Sequence, residues 1–129
     1  MVPGPALADD VCVTASLLIV DDNPGFRTRA RRWLEASGYT VVAEAADGAS
    51  ALAAVRRHRP KVVLLDIQLP DMSGLTVAER LAQEPDPPAV VLTSTHDIAD
   101  FGDRPARSGA RGFVPKAELS DERLSALLA

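Results

Sequence analysis

Cysteine is nearly absent from this sequence, basic charge is not in surplus, and no long apolar run occurs; each scarcity removes a class of protein. A single cysteine, Cys12, among 129 residues rules out an internal disulfide framework and fits a reducing compartment. Lys and Arg total 14 against 18 Asp and Glu, a net charge of −4 that argues against indiscriminate binding to nucleic acid. No apolar stretch approaches the roughly 20 residues that a membrane span needs. The first residues, with Pro3, Pro5, Asp9 and Asp10, lack the basic-then-apolar order of a secretory signal. The expectation is a soluble cytoplasmic protein with no membrane association. What is present is ordinary for a globular chain: 47% hydrophobic and 25% charged residues, in a length that suits one domain.

The most informative stretch runs from Lys61 to Gly74. Val62-Val63-Leu64-Leu65 is four consecutive aliphatic residues between Pro60 and Pro70, too short for a free-standing helix and rich in β-branched side chains. Such a run reads as a strand buried on both faces, which belongs to a parallel sheet covered by helices on each side. It ends in a carboxylate, Asp66. Ligand chemistry in open α/β sheets sits at the carboxyl ends of strands, so Asp66 is either a functional acid or an ordinary strand-end residue.

The rest of the chain repeats the pattern. Residues 1–15 read as a loose, flexible lead-in in which only Val11-Cys12-Val13 suggests pairing. Leu17-Leu18-Ile19-Val20 forms a second apolar run, closed by Asp21 and Asp22. Asn23-Pro24 is a helix start, with Phe26, Ala30, Trp33 and Leu34 as the inward stripe and Gly38 as the C-cap. Arg27, Arg29, Arg31 and Arg32 occupy its other faces, as a solvated basic surface or a docking surface for an acidic partner. Thr40–Ala45 is a moderate strand. The helix that begins at Asp47-Gly48 ends in Arg56-Arg57-His58-Arg59, where basic residues complement the helix dipole. A helix from Ser73 or Gly74 to about Gln83 follows the central loop. Ala89-Val90-Val91-Leu92 is a fourth strand, ending in Thr93-Ser94-Thr95. From His96 to Arg111 the helical pattern is weakest, because Gly102 and Pro105 interrupt it. Gly112-Phe113-Val114 is a short fifth strand before Pro115-Lys116. Ser120 caps a last helix with Leu124, Leu127 and Leu128 inward. Five β-α repeats argue for a doubly wound five-stranded parallel sheet with helices on both faces.

In such a sheet Asp21, Asp22, Asp66, Thr93 and Lys116 all end on one edge. Three neighbouring carboxylates repel one another unless a cation sits among them. A hard divalent ion that prefers oxygen, Mg²⁺ above all, answers that need. With a lysine and a hydroxyl added, the set suits electrostatic clamping of a phosphoryl group, and one carboxylate could serve as nucleophile. Taken singly, each residue has a bland explanation: an Asp-Asp pair as a helix cap, Thr93 as a strand end, Lys116 as a surface lysine. Their joint placement at four strand ends is what carries the reading.

At these residues the sequence resembles the receiver domain of bacterial two-component response regulators. The matching pieces are Leu18-Ile19-Val20-Asp21-Asp22, Asp66 with Leu69-Pro70-Asp71-Met72-Ser73-Gly74, Val91-Leu92-Thr93-Ser94, and Gly112-Phe113-Val114-Pro115-Lys116. The phrase Ser108-Gly109-Ala110-Arg111-Gly112-Phe113 looks closest to receivers of LuxR-type regulators. The resemblance covers residues 16–129 and implies a flavodoxin-like fold with strand order 2-1-3-4-5. It implies that Asp66 accepts a phosphoryl group from a sensor histidine kinase, and that Asp21, Asp22, Asp66 and the Gln68 backbone carbonyl hold Mg²⁺. Thr93 and Lys116 would contact the phosphoryl group, and Thr93 and Phe113 would form the switch. The chain would not be an enzyme beyond its own phosphorylation and slow dephosphorylation. A homodimer is compatible with the resemblance, as is a DNA-binding output domain if the chain is a piece of a longer regulator.

Three departures accompany the match. Phe113 lacks a hydroxyl, so coupling through it would rest on packing. Ala117 follows Lys116 where many receivers have proline, so no cis peptide is expected there. Gln68 and Thr95, at positions that tune aspartyl-phosphate lifetime in the family, supply no obvious base for hydrolysis. Two other readings compete: a receiver-like binding module regulated without phosphorylation, and a Mg²⁺-dependent phosphatase of the haloacid dehalogenase type. The latter wants an Asp-x-Asp motif, whereas Gln68 stands two residues after Asp66.

Overall fold

Alternation of side chains along the strands decides the architecture. The computed structural model describes residues 15–129; the lead-in before them, including Val11-Cys12-Val13, lies outside the described residues. Strands β1 (Ser16–Val20), β2 (Thr40–Ala45), β3 (Val62–Asp66), β4 (Ala89–Ser94) and β5 (Gly112–Pro115) form one sheet in the order 2-1-3-4-5, every pairing parallel. Leu17, Ile19, Val62, Leu64, Val91 and Val114 share one buried core. Its cover is α1 (Pro24–Ala36) and α5 (Asp121–Leu128), through Ala30, Leu34 and Leu124. Leu18, Val20, Val63, Leu65, Val90 and Leu92 point the other way. They pack under α2 (Gly48–His58) and α3 (Gly74–Leu81), through Ala51, Val55, Leu75 and Ala78. Period-2 strands buried on both faces are what the aliphatic runs require.

The helix ends follow capping chemistry. Asn23, Asp47 and Ser120 each accept a hydrogen bond at the start of α1, α2 and α5, from Phe26, Ser50 and Arg123 N–H respectively. α1 closes with Gly38 at φ 102°, one residue beyond the cap Ser37, so that Tyr39 N–H reaches back to the Leu34 carbonyl at 3.1 Å. α3 ends at Leu81, earlier than Gln83, and its last carbonyls are met by turns from Gln83 and Glu84. In α5 only Leu124 is fully buried; Leu127 and Leu128 are partly covered.

The segment expected to be a poor helix is one. It forms a 3₁₀ turn at Ile98–Phe101, breaks at Gly102, and makes a single turn, α4 (Arg104–Arg107). A second 3₁₀ turn, Lys116–Glu118, links β5 to α5. All peptide bonds among the described residues are trans, Lys116–Ala117 included.

One irregularity was invisible in the sequence. Leu17 pairs with Val41 but Leu18 with Ala43, so Val42 is an extra residue in β2. Beyond this bulge Ala43 and Ala45 turn toward the α2–α3 face, and Glu44 turns toward α1. There it receives hydrogen bonds from Arg27 at 3.1 Å and Arg31 at 2.7 Å. Half of the arginine-rich surface of α1 is thus paired internally, while Arg29 and Arg32 remain exposed.

Candidate functional site

The parity that sorts the core also builds the site. Continuing the α1-facing rows by two residues leads from Ile19 to Asp21, from Leu64 to Asp66, from Val91 to Thr93 and from Val114 to Lys116. Four chemically active side chains therefore emerge on one edge and one face. Asp21 is fully buried and Asp66 nearly so, while Asp22 is exposed. One oxygen of each of the three carboxylates lies within 4.8 Å of the other two.

Lys116 is the counter-charge. Its Nζ sits 2.6 Å from Asp21 Oδ2 and 3.4 Å from Asp66 Oδ2. Burial by itself would lower the lysine's pKa, but the two carboxylates outweigh it and hold the ammonium above its usual range. Asp66 moves the opposite way from an ordinary ion-paired acid. Burial raises it first, and the Asp21 charge adds to that; the Gln68 N–H and Lys116 only partly oppose them, leaving it at about 6. At neutral pH the carboxylate is still mostly ionised.

The backbone fixes these groups closely. Asp21 Oδ1 accepts from Asn23 N–H at 2.9 Å, and Arg27 donates to the Asp21 carbonyl at 2.7 Å, tying the β1–α1 turn to α1. Gln68 N–H donates to Asp66 Oδ1 at 3.2 Å. The loop then folds back, pairing Gln68 with Ser73, and Gly74 N–H meets the Ile67 carbonyl at 2.6 Å. A Cβ on residue 74 would stand 2.1 Å from the Asp66 carbonyl oxygen, so only glycine allows this return. Asp71 anchors the far side by accepting from Gly48 and Ala49 N–H at 2.8 and 3.0 Å. Those bonds hold its carboxyl below the usual range and cap α2 from another loop.

The donor set fits a hard divalent cation. Three carboxylates face one ammonium, and Asp21 Oδ2, although close to Lys116, accepts no well-formed hydrogen bond while wholly buried. Three carboxylates against one ammonium leave an excess of negative charge that an oxygen-seeking cation would balance.

Two expected switch residues stand differently. Thr93 pairs with Asp66 in the sheet register, but its hydroxyl donates to the Val114 carbonyl at 2.7 Å. Phe113 has the opposite parity; it is half-buried against the α2–α3 core and lines a cavity of about 530 Å³ with Thr95, His96 and Ile98. The structure thus joins Asp21, Asp22, Asp66 and Lys116, places Thr93 beside them, and leaves Phe113 outside. Sequence reasoning missed Phe26, whose ring centroid lies 4.5 Å from Lys116 Nζ. The available signal was its place in the first turn of α1, in the helix that follows the acidic pair.

Residues 17–129 match the model of the response regulator receiver domain family. Among curated relatives, the "Probable transcriptional regulatory protein NarL" of Mycobacterium tuberculosis is 38% identical over 113 residues, 87% of this chain and 52% of that one. A protein-glutamate methylesterase/protein-glutamine glutaminase of Hahella chejuensis is 39% identical over 84 residues, 65% of this chain but 24% of its own length. The chain spans about half or less of the length of these relatives. The crystal structure of a LuxR-family two-component response regulator from Aurantimonas sp. superimposes with a TM-score of 0.79 at 32% identity, covering 89% of this chain and 86% of that one. The β-strand order, the strand-end acids with their lysine, and these likenesses agree: the chain belongs to the receiver domain family of two-component response regulators.

Proposed function

We propose that Asp66 is the phosphoacceptor of this receiver, taking a phosphoryl group from a phosphohistidine on a sensor histidine kinase. A carboxylate oxygen of Asp66 forms the new O–P bond as the P–N bond breaks, and the departing imidazole nitrogen recovers its lone pair. Asp21, Asp22, Asp66 and the Gln68 carbonyl would hold Mg²⁺, which would neutralise charge on the transferring oxygens. Lys116 supplies a fixed positive charge 3.4 Å from the Asp66 carboxylate. Thr93 becomes a donor to the phosphoryl group by releasing the Val114 carbonyl, a rotation about one side-chain bond. That release would carry the state of Asp66 to β5, and thence to Phe113 and the His96–Arg111 segment. Catalysis stays confined to phosphorylation and slow loss of the phosphoryl group. The remaining partners are an output domain or protein, DNA-binding in the LuxR-type case, and a second receiver; the setting is cytoplasmic.

The observation that carries this reading is the cluster of three acidic oxygens within 4.8 Å beside a single ammonium. The test is incubation with Mg²⁺ and acetyl phosphate or phosphoramidate, read by intact mass, with Asp66→Asn alongside. A single phosphoryl adduct is expected on the wild type and none on the variant. No adduct on the wild type would favour a binding module regulated without phosphorylation; an adduct on Asp66→Asn would move the acceptor elsewhere.

A further inference from the structure

Phe26 is a first-turn residue of α1, and as one of the inward stripe it would need no role beyond packing. Its ring, however, is only half-buried, and it is turned toward the acceptor edge rather than wholly into the core. The ammonium of Lys116 lies over its face, 4.5 Å from the centroid. Both residues border the same cavity of about 460 Å³, with Arg29, Trp33 and Ala117. Lys116 therefore has three partners: the Asp21 carboxylate at 2.6 Å, the Asp66 carboxylate at 3.4 Å, and an aromatic face.

These partners are unequal once the site is loaded. The nearest, Asp21, is a wholly buried member of the acidic cluster, so a divalent cation and Lys116 compete for its carboxylate. An ammonium deprived of its closest partner, and repelled by a doubly charged neighbour, would swing toward water on its flexible stem. Only 17% of the lysine side chain is exposed, which gives a cation–π contact more weight than at an open surface. The aromatic face attracts the ammonium without competing for the acidic oxygens.

We infer that Phe26 is a positioning residue for Lys116: its aromatic face keeps the ammonium beside Asp66 when a divalent cation occupies the acidic cluster. This rests on the phosphoacceptor reading above for its consequence, though not for its geometry. Packing alone would be served by leucine; the inference requires the ring's electron-rich face.

The experiment replaces Phe26 in the full chain by site-specific incorporation of mono-, di- and trifluorophenylalanine, with Phe26→Leu and Phe26→Tyr beside them. Fluorination preserves shape while weakening the face. The first readout is the proton shift of the Lys116 ε-methylene with and without saturating Mg²⁺. An upfield ring-current shift that persists with Mg²⁺ in the wild type and Phe26→Tyr, and fades stepwise with fluorination, is expected. The second is the acetyl phosphate phosphorylation rate at saturating Mg²⁺, expected to fall about 3- to 10-fold in Phe26→Leu and progressively along the fluorinated series, with Phe26→Tyr near wild type. A shift that vanishes when Mg²⁺ is added to the wild type would overturn the inference. So would a rate indifferent to fluorination but lowered by leucine, since that is packing. If the wild type takes no phosphoryl group, the phosphoacceptor reading fails, and the Mg²⁺-dependent shift still decides the positioning role.

Discussion

The edge that carries Asp66 and the segment between His96 and Arg111 are built by opposite means. Asp21 and Asp66 each continue a strand whose preceding aliphatic side chains are buried, and Lys116 stands two residues beyond the buried Val114, so these groups inherit their places from the core. The segment has no such support. Of its residues only Pro105 and Ser108 are buried, Ile98 is 43% exposed, and its helical structure amounts to a four-residue 3₁₀ turn and a four-residue helix. It is fastened to α3 by one polar group, Arg104, which donates to Glu79 at 3.0 and 3.1 Å and to the Thr76 hydroxyl at 3.0 Å. Electrostatic work on a phosphoryl group needs charges that do not relax, whereas a reporter needs alternatives of nearly equal energy. Under the proposed function, one chain would supply both by placing chemistry where the core ends and the readout where the core is only thinly covered.

The same substitution in each region should expose this difference most sharply. Gly74→Ala drives a methyl group to 2.1 Å from the Asp66 carbonyl oxygen and 2.8 Å from Ile67 Cα, both backbone and unable to step aside singly. We expect a loss of roughly 2–4 kcal/mol in urea unfolding, with weakened Mg²⁺ binding because the loop after Asp66 must shift. Gly102→Ala meets open space, and what resists is its backbone, φ 62° with ψ −139°, outside the left-handed helical region. Roughly 1–3 kcal/mol, with Mg²⁺ affinity unchanged, is the expected result there. Equal effects on Mg²⁺ binding would mean that the two regions are not separable as described.

The acceptor edge should also be strained in its metal-free state. Asp66 titrates near 6 in the fold against an ordinary value of 3.8, so folding favours its protonated form. The resulting stability is complete below about pH 4 and is lost as pH rises through about 6; above that, the ionised acid is a burden on the order of 1–3 kcal/mol. Asp66→Asn should therefore stabilise the metal-free protein at pH 7.5 and make little difference at pH 4.5, as measured by thermal unfolding across pH. Lys116→Met sharpens the point through opposite signs. Removing the competitor for Asp21 should tighten Mg²⁺ binding several-fold in calorimetry, while phosphorylation by acetyl phosphate slows by at least about 10-fold. A lysine variant that loses Mg²⁺ affinity would show the ammonium organising the acids rather than competing for them.

Much of this edge was legible in the sequence because period 2 is unforgiving: four aliphatic residues fix which way the fifth points. Asp66 and Asp21 were placed on the edge by the ends of their aliphatic runs, their common face being added by the structure, and the broken helix followed from Gly102 and Pro105. What was not legible depends on registers and packing between distant elements. The Thr93 hydroxyl meets the Val114 carbonyl because β4 and β5 pair Thr93 with Val114, which neither strand reveals alone. The bulge at Val42, which turns Glu44 toward Arg27 and Arg31, leaves no mark in Thr-Val-Val-Ala-Glu-Ala. Phe26 read as core because its spacing suits a helix stripe; its contact with Lys116 joins residues far apart in the chain, which the spacing does not reveal.

The smallest expected effect lies in the segment between His96 and Arg111. Arg104 and Glu79 are each more than a third exposed, so their ion pair is screened, and Arg104→Ala should cost less than about 1 kcal/mol of global stability. Yet this pair, with Thr76, is the polar tie between α4 and α3. Global unfolding draws on the sheet and both cores, and hardly registers the change. Local opening of residues 98–108 requires that this tie, a few short-range backbone bonds and the packing of Phe101 and Pro105 give way. Amide hydrogen exchange in that segment should thus accelerate several-fold in Arg104→Ala, with exchange in β1 and β3 unaltered. Glu79→Gln, which keeps the hydrogen-bonding shape but removes the charge, should fall between the two. Exchange unchanged at 98–108 would mean that Phe101, packed against the α2–α3 core, holds the segment instead.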